Sequence, residues 1–194
     1  MPDLFKCSVK REMKFLFDED SFYDMLRYTK KRYKIERSMK TEQTDFYYDT
    51  PVFSLLKNNI TLRIRKTEEE YFLQIKRYQD LTYGIYTTTE SESVFAHLPK
   101  ILKGSELELG SSHTYEMLGK LKTNRKTMQL PDGTIIRFDI SEYFDKIDYE
   151  IKMQFSDYPP EELVTRLSEH SHQSCSKYNR FIEAYENAKI RIAK

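Results

Sequence analysis

The chain has 194 residues, 39% of them hydrophobic and 32% charged, with 15 Tyr, 12 Phe and no Trp, which is enough apolar and aromatic surface for one folded domain with an unusually charged remainder. Its 32 basic and 31 acidic side chains leave a net charge of +1, which argues against a general nucleic-acid footprint and makes local charge segregation the question. No apolar run approaches the length of a membrane span, and the first ten residues lack the apolar segment of a signal peptide. Cys7 and Cys175 stand far apart without a metal-ligand spacing, so neither a disulfide framework nor a zinc site is expected, and a reducing, cytoplasmic setting is.

From Cys7 to Phe15 the chain alternates, with Val9, Met13 and Phe15 on one face and Lys10, Glu12 and Lys14 on the other, the period of a strand. Residues 18–34 change to helical spacing through Phe22, Met25, Leu26 and Tyr33, after acidic residues suited to a helix start. Gln43 to Asp49 reads as an aromatic strand closed by Thr50-Pro51, followed by a short helical turn to Lys57. Ile60–Lys66 places Arg63 and Arg65 opposite Leu62 and Ile64; Tyr71–Arg77 places Gln74 and Lys76 opposite Leu73 and Ile75. Residues 83–95 read as a fifth strand carrying Glu90 and Glu92 at alternate positions.

Residues 96–120 mix two short helical patterns with a loop at 104–112 and are expected to cap one side of the sheet. Three strands follow at 121–129, 134–141 and 145–155, the first two joined by a Pro131-Asp132-Gly133 turn. Arg137 and Asp139 share a face, as do Glu150, Lys152 and Gln154. Two helices, 160–171 and 176–192, complete a single domain. His97, His113, His170 and His172 have no spacing shared with a base or nucleophile, and the tyrosines, among them Tyr47, Tyr48, Tyr83 and Tyr86, read first as packing.

A charged strand face is ordinarily solvated surface. Here the charges recur at period 2 on six strands while the opposite faces are apolar enough to be covered by helices, so closing the sheet would turn them inward. The fold class expected is α+β: a closed eight-stranded antiparallel β-barrel tunnel with helices packed outside. A small barrel is filled by side chains or holds one small ligand, and so many ions in its lumen require a charged guest. Guanidinium forks and ammonium groups suit phosphate oxygens, and interspersed carboxylates suit Mg²⁺ or Mn²⁺. The expected partner is therefore a triphosphate or polyphosphate small molecule, with neither nucleic acid nor membrane.

Several pieces together resemble the CYTH, or triphosphate tunnel metalloenzyme, family, which includes thiamine triphosphatases, inorganic triphosphatases and class IV adenylyl cyclases. They are Arg11-Glu12-Met13-Lys14-Phe15 at the family's opening ExExK strand, Tyr47-Tyr48-Asp49-Thr50-Pro51, Leu62-Arg63-Ile64-Arg65, Lys76, Thr123-Asn124-Arg125, Asp139, Asp148-Tyr149-Glu150-Ile151 and Ser176-Lys177-Tyr178. Order and spacing are nearest the YjbK-like branch. The resemblance implies phosphate contacts from Lys14, Arg63, Arg65, Lys76, Arg125 and Lys177, and a cation, Mg²⁺ or Mn²⁺, on Glu12, Asp139, Glu150 and Glu90 or Glu92, with Glu12, Glu150 and Asp139 as the catalytic set. Facing alone adds Arg137 and Arg180 to the phosphate contacts.

Two positions depart from the family pattern. Lys10 stands at the first glutamate of ExExK, and Lys152 stands where a second glutamate commonly follows Glu150. Two carboxylates have become two ammonium groups, a swing of about four charge units. Both lysines are candidate phosphate contacts that stand in for metal charge, although an ammonium cannot hold an activated water as a metal does. Two functions are therefore expected: a metal-assisted triphosphatase, or a non-catalytic polyphosphate- or nucleotide-binding module. An adenylyl cyclase is a weaker third, since nothing identifies a ribose or adenine contact.

Overall fold

The computed structural model describes residues 6–68, 70–82, 84–173 and 176–192. Tyr83 and Cys175 lie outside the described residues. In chain order the elements are β1 (Lys6–Phe17), α1 (Glu19–Arg32), β2 (Arg37–Asp49), α2 (Ser54–Lys57), β3 (Ile60–Lys66), β4 (Tyr71–Thr82), β5 (Ile85–Phe95), β6 (Ile101–Lys103), β7 (Thr114–Gln129), β8 (Ile135–Tyr143), β9 (Lys146–Gln154), α3 (Glu161–Glu169), β10 (His172–Gln173) and α4 (Lys177–Ile192).

Eight strands pair antiparallel in the order β1-β5-β4-β3-β2-β7-β8-β9, and β9 pairs back onto β1 with Lys14 opposite Lys152. The sheet is closed, so its alternating residues separate into an outer apolar set and an inner polar one. Outside, Phe15, Phe138, Ile151 and Met153 pack against Phe22 and Met25 of α1 and Leu163 and Leu167 of α3. Asp18 caps α1 by accepting the Ser21 N–H at 2.9 Å, and Arg32 and Tyr28 tie α1 to Glu162 of α3. The other flank, Leu62, Ile64, Leu73 and Ile75, is covered by Leu55, Leu102, Leu107 and Tyr115.

Residues 96–120 do cover one side of the barrel, as expected, but not as helices. Around a 3₁₀ turn at Gly104–Glu106 the segment is made of loop and strand: β6 pairs with the start of β7, which begins at Thr114 rather than Leu121. A register shift between Tyr47 and Tyr48, opposite Gly119 and Met117, breaks the two-residue alternation that would have marked this stretch as strand. β2 is also longer than its aromatic run, because Arg37–Glu42 continue the ladder against β7 with largely exposed side chains. His172 and Gln173 leave the end of α3 and pair with Leu16 and Phe15. The Pro131-Asp132-Gly133 turn forms as read, with Gly133 at φ 84° and Asp132 accepting the Thr134 N–H at 2.9 Å.

Helix α4 lies against the barrel end. Phe181, fully buried, packs against Tyr47 at 4.7 Å between ring centroids, and Leu121, Tyr143 and Tyr178 complete the cluster. One buried carboxylate latches this helix: Asp49 accepts the N–H groups of Thr50 (2.7 Å), Leu55 (2.9 Å) and Leu56 (3.0 Å) and the Tyr178 hydroxyl (2.7 Å). It thereby satisfies the start of α2 and fixes α4 in one step. Asp49→Ala will strand four donors and cost about 3–5 kcal/mol of stability, read as a lower urea midpoint with little change in slope. Tyr178→Phe, which strands only the carboxylate's fourth contact, will cost about 1 kcal/mol.

Candidate functional site

The inward residues of the eight strands and the first turn of α4 enclose a cavity of about 120 Å³. Nine cations line it: Lys10 and Lys14 from β1, Arg63 and Arg65 from β3, Lys76 from β4, Arg125 from β7, Arg137 from β8, Lys152 from β9 and Lys177 from α4. Glu12 and Glu90 are the carboxylates on its wall. Asp45, Asp139 and Glu150 stand directly behind, each almost wholly buried. A second hollow of about 390 Å³ adjoins it and shares Thr61, Tyr78 and Tyr178; a third, of about 560 Å³, shares Arg65.

Each acid holds particular cations. Asp139 takes Arg125 on a bidentate fork at 2.6 and 2.7 Å, with the Lys177 and Lys152 ammonium groups at 3.1 and 3.4 Å. Burial alone would raise its pKa, but these three cations outweigh burial and hold the carboxyl well below the usual range. Glu150, its cross-strand partner, receives Arg180 at 2.8 Å on one oxygen; the other faces Lys152 and Lys177 at 2.9 and 3.6 Å without an aligned hydrogen bond. Burial again opposes ionisation, and Lys152, Lys177 and Arg180 again prevail.

Asp45 binds Arg65 through both oxygens, at 2.7 and 3.0 Å, and Arg63 at 3.3 Å, while Gln74 accepts from the Arg63 Nε at 2.7 Å. Glu12 receives Lys76 at 2.5 Å and Lys14 at 3.3 Å; burial would raise its pKa, yet Lys76 and Lys14 keep it well below normal. The Lys14 ammonium also stands 4.8 and 4.3 Å from the ring centroids of Tyr78 and Tyr86, a cation–π clamp that fixes its position. Glu90 pairs with Lys10 at 2.5 Å and Arg63 at 3.5 Å, and its pKa falls to about 2 because these cations overcome its burial.

Burial costs Arg137 and Lys177 part of their basicity. Arg137 donates to Gln154 at 3.0 Å and has no carboxylate partner among the described residues; burial, then Arg125, lowers its pKa. Lys177 is pushed down from 10.5 to about 8 by burial, despite Asp139 and Glu150.

The expected phosphate contacts thus converge, apart from Arg180, which stands behind Glu150 and also binds Asp148 at 2.7 Å. The carboxylates do not converge. Glu92 accepts from Gln74 and belongs to the hollow on the Arg65 side rather than to the cavity wall. No three His, Cys, Asp or Glu residues come together as a metal site among the described residues. Mg²⁺ demands near-octahedral oxygen ligation at about 2.0–2.1 Å, whereas the one carboxylate pair here, Asp139 and Glu150, has two ammonium groups against it. As a donor set these residues do not fit a divalent cation. Asp45, the counter-ion of the Arg63–Arg65 pair, went unrecognised in the sequence, although Gln43, Asp45 and Tyr47 alternate on one face of β2.

The CYTH domain family model matches residues 10–182. The chain belongs to the CYTH domain family. Among curated proteins it is similar to YjbK of Bacillus subtilis (strain 168), named as a putative triphosphatase, at 28% identity over 156 residues, covering 74% of this chain and 80% of that one. Solved structures share the fold. A putative adenylate cyclase from Bacillus halodurans matches with a TM-score of 0.68 and 20% identity over 90% of this chain and 98% of its own. A putative adenylyl cyclase from Hippeastrum, titled as revealing a dominant triphosphatase activity, matches with a TM-score of 0.65 and 19% identity over 90% and 95%. Within this CYTH barrel, Asp139→Ala will leave Arg125, Lys152 and Lys177 short of their shared counter-ion and lower stability by about 3–5 kcal/mol. Added phosphate anions will recover part of that loss, a rescue visible as a larger ligand-induced thermal shift than in the wild type.

Proposed function

We propose that the tunnel binds inorganic tripolyphosphate or a nucleoside or other organic triphosphate and hydrolyses its terminal phosphoanhydride. The observation that carries this reading is the charge balance of the closed lumen. Nine cations face five carboxylates, two on the wall and three behind it, an excess of four; Arg180 and Asp148 pair further back and add nothing. A tripolyphosphate chain carries roughly four negative charges near neutral pH, its fifth proton leaving only at higher pH, and is a natural complement to this excess. The guanidinium groups of Arg63, Arg65, Arg125 and Arg137 offer planar forks to non-bridging oxygens, and Lys10, Lys14, Lys76, Lys152 and Lys177 add point charge.

Hydrolysis here is in-line attack of water on the terminal phosphorus. The new P–O bond forms as the bridging P–O bond breaks, and the water's proton passes to solvent or the leaving phosphate. The cations neutralise the charge growing on the bridging oxygen. Glu12, on the cavity wall, is the carboxylate best placed to orient the water, but its low pKa makes it a weak base. A second reading, a non-catalytic module that holds the same anion, is favoured by one observation: every carboxylate around the cavity is engaged by cations.

Tripolyphosphate at about a hundred times its Kd will raise the melting temperature by roughly 5–10 °C. Phosphate release assayed alongside, in EDTA, Mg²⁺ or Mn²⁺, separates the readings: turnover supports the hydrolase, stabilisation without turnover the module, and no stabilisation in any condition removes both. Binding is also expected to depend on pH. The Lys177 charge, paired with Asp139 and Glu150 and flanked by Lys152 and Arg125, destabilises the free protein at neutral pH, a cost relieved as pH rises from about 8 towards 10.5. A bound phosphoryl group restores the proton. Affinity will therefore fall above pH 8, binding will take up a proton by calorimetry in two buffers, and Lys177→Arg will flatten the profile.

A further inference from the structure

We infer that the tunnel takes its phosphate chain free of divalent cation, with the ammonium groups of Lys152 and Lys177 seated against Asp139 and Glu150 as resident counter-cations. The inference rests on the phosphate-binding reading above and specifies the ionic form of the ligand.

Asp139 and Glu150 are register partners on β8 and β9, both fully buried. Lys152, two residues beyond Glu150 on the same inward face, approaches Glu150 at 2.9 Å and Asp139 at 3.4 Å. Lys177 enters from α4 and approaches the same two residues at 3.6 and 3.1 Å. Two single charges, from two different elements, thus meet the one place where two tunnel carboxylates stand side by side. A hard dication bound to these oxygens would lie within a few ångströms of both ammonium groups, and both lysine side chains are themselves largely buried in the closed wall, so neither has a solvated position close by to withdraw to. The other acids offer no alternative: Glu12 is shared by Lys76 and Lys14, Glu90 by Lys10 and Arg63, and Asp45 by the two arginines.

The excess of four positive charges points the same way. A metal-free tripolyphosphate nearly cancels it, whereas the Mg²⁺ complex brings two charges of the sign the lumen already holds in surplus. Magnesium is then a competitor for the ligand, not a partner of the protein.

Calorimetry of the full chain with inorganic tripolyphosphate, in EDTA and in saturating Mg²⁺, tests this. Affinity at least tenfold weaker in saturating Mg²⁺ is the expected result; affinity equal or tighter in Mg²⁺, or binding seen only there, overturns the inference while leaving phosphate binding standing. Absence of binding in both removes the phosphate-binding reading and the inference with it. Because Mg²⁺ also sequesters the ligand, a second measurement uses Mn²⁺ alone, followed by its paramagnetic resonance signal. The wild type will bind none, and Lys152→Glu, which adds a third carboxylate beside Asp139 and Glu150, will bind it. Lys152→Met will remain folded, lose at least tenfold in tripolyphosphate affinity and gain no Mn²⁺ binding. Mn²⁺ bound by the wild-type chain, or a folded Lys152→Glu variant that still binds none, overturns the proposal.

Discussion

Everything inside this barrel depends on neutralising ions that a closed sheet has removed from bulk water. A lone buried carboxylate or ammonium is too costly to keep charged, so each acid in the wall has to meet cations, and the network has to close around the circumference. It does so in linked groups: Asp45 with Arg63 and Arg65, Glu90 with Arg63 and Lys10, Glu12 with Lys76 and Lys14, and Asp139 and Glu150 with Arg125, Lys152, Lys177 and Arg180. The carboxylates thereby become the parts that aim the cations. Arg65 and Arg125 are gripped through two nitrogens each, which fixes the plane of the guanidinium as well as its position.

The apolar exterior makes this interior possible. Because each strand puts its charged residues on one face and its aliphatic residues on the other, the helices and the 96–113 segment can bury the outside while the lumen stays ionic. Helix α4 is the exception, since it contributes to both. Phe181 packs with Tyr47 and Leu121, whereas Lys177 and Arg180, one turn apart, reach inward to Asp139 and Glu150. The Asp49–Tyr178 bond couples that helix to the turn after β2, so the placement of two tunnel cations is inherited from a hydrogen bond outside the tunnel.

What was legible in the sequence follows from this geometry. Two-residue alternation exposed the inner faces of β1, β3, β4, β8 and β9, since Lys10, Glu12 and Lys14 or Arg63 and Arg65 interrupt apolar neighbours at every second position. Barrel closure and the outer helices could be read from the same pattern. The start of β7 could not, because the register shift near Tyr47 interrupts the alternation and Gly119 supplies no side chain to either face. Asp45 was hidden in an aromatic run. Alternation gives a face but not a depth or a partner: Glu92 and Glu90 share a face, yet the first meets Gln74 beyond the cavity wall and the second meets Lys10 and Arg63 within it. Arg180, assigned inward by facing alone, is inward but stands one layer back, behind Glu150.

The same neutralisation limits what chemistry the wall can supply. A general base works best with a pKa near the operating pH, and Glu12, Glu90, Asp139 and Glu150 are all held below their ordinary range by their cations. Arrangements that place cations with such rigidity therefore weaken the carboxylates as proton acceptors. Under the proposed hydrolytic function, rate acceleration in such a tunnel has to come from fixed positive charge around the phosphoryl group, already oriented before the anion arrives, more than from proton abstraction. Lys177 is the cation that retains freedom to change: its pKa near 8 places its proton within reach of ordinary pH, so under the proposed phosphate-binding function the charge it presents is set by the anion's own arrival.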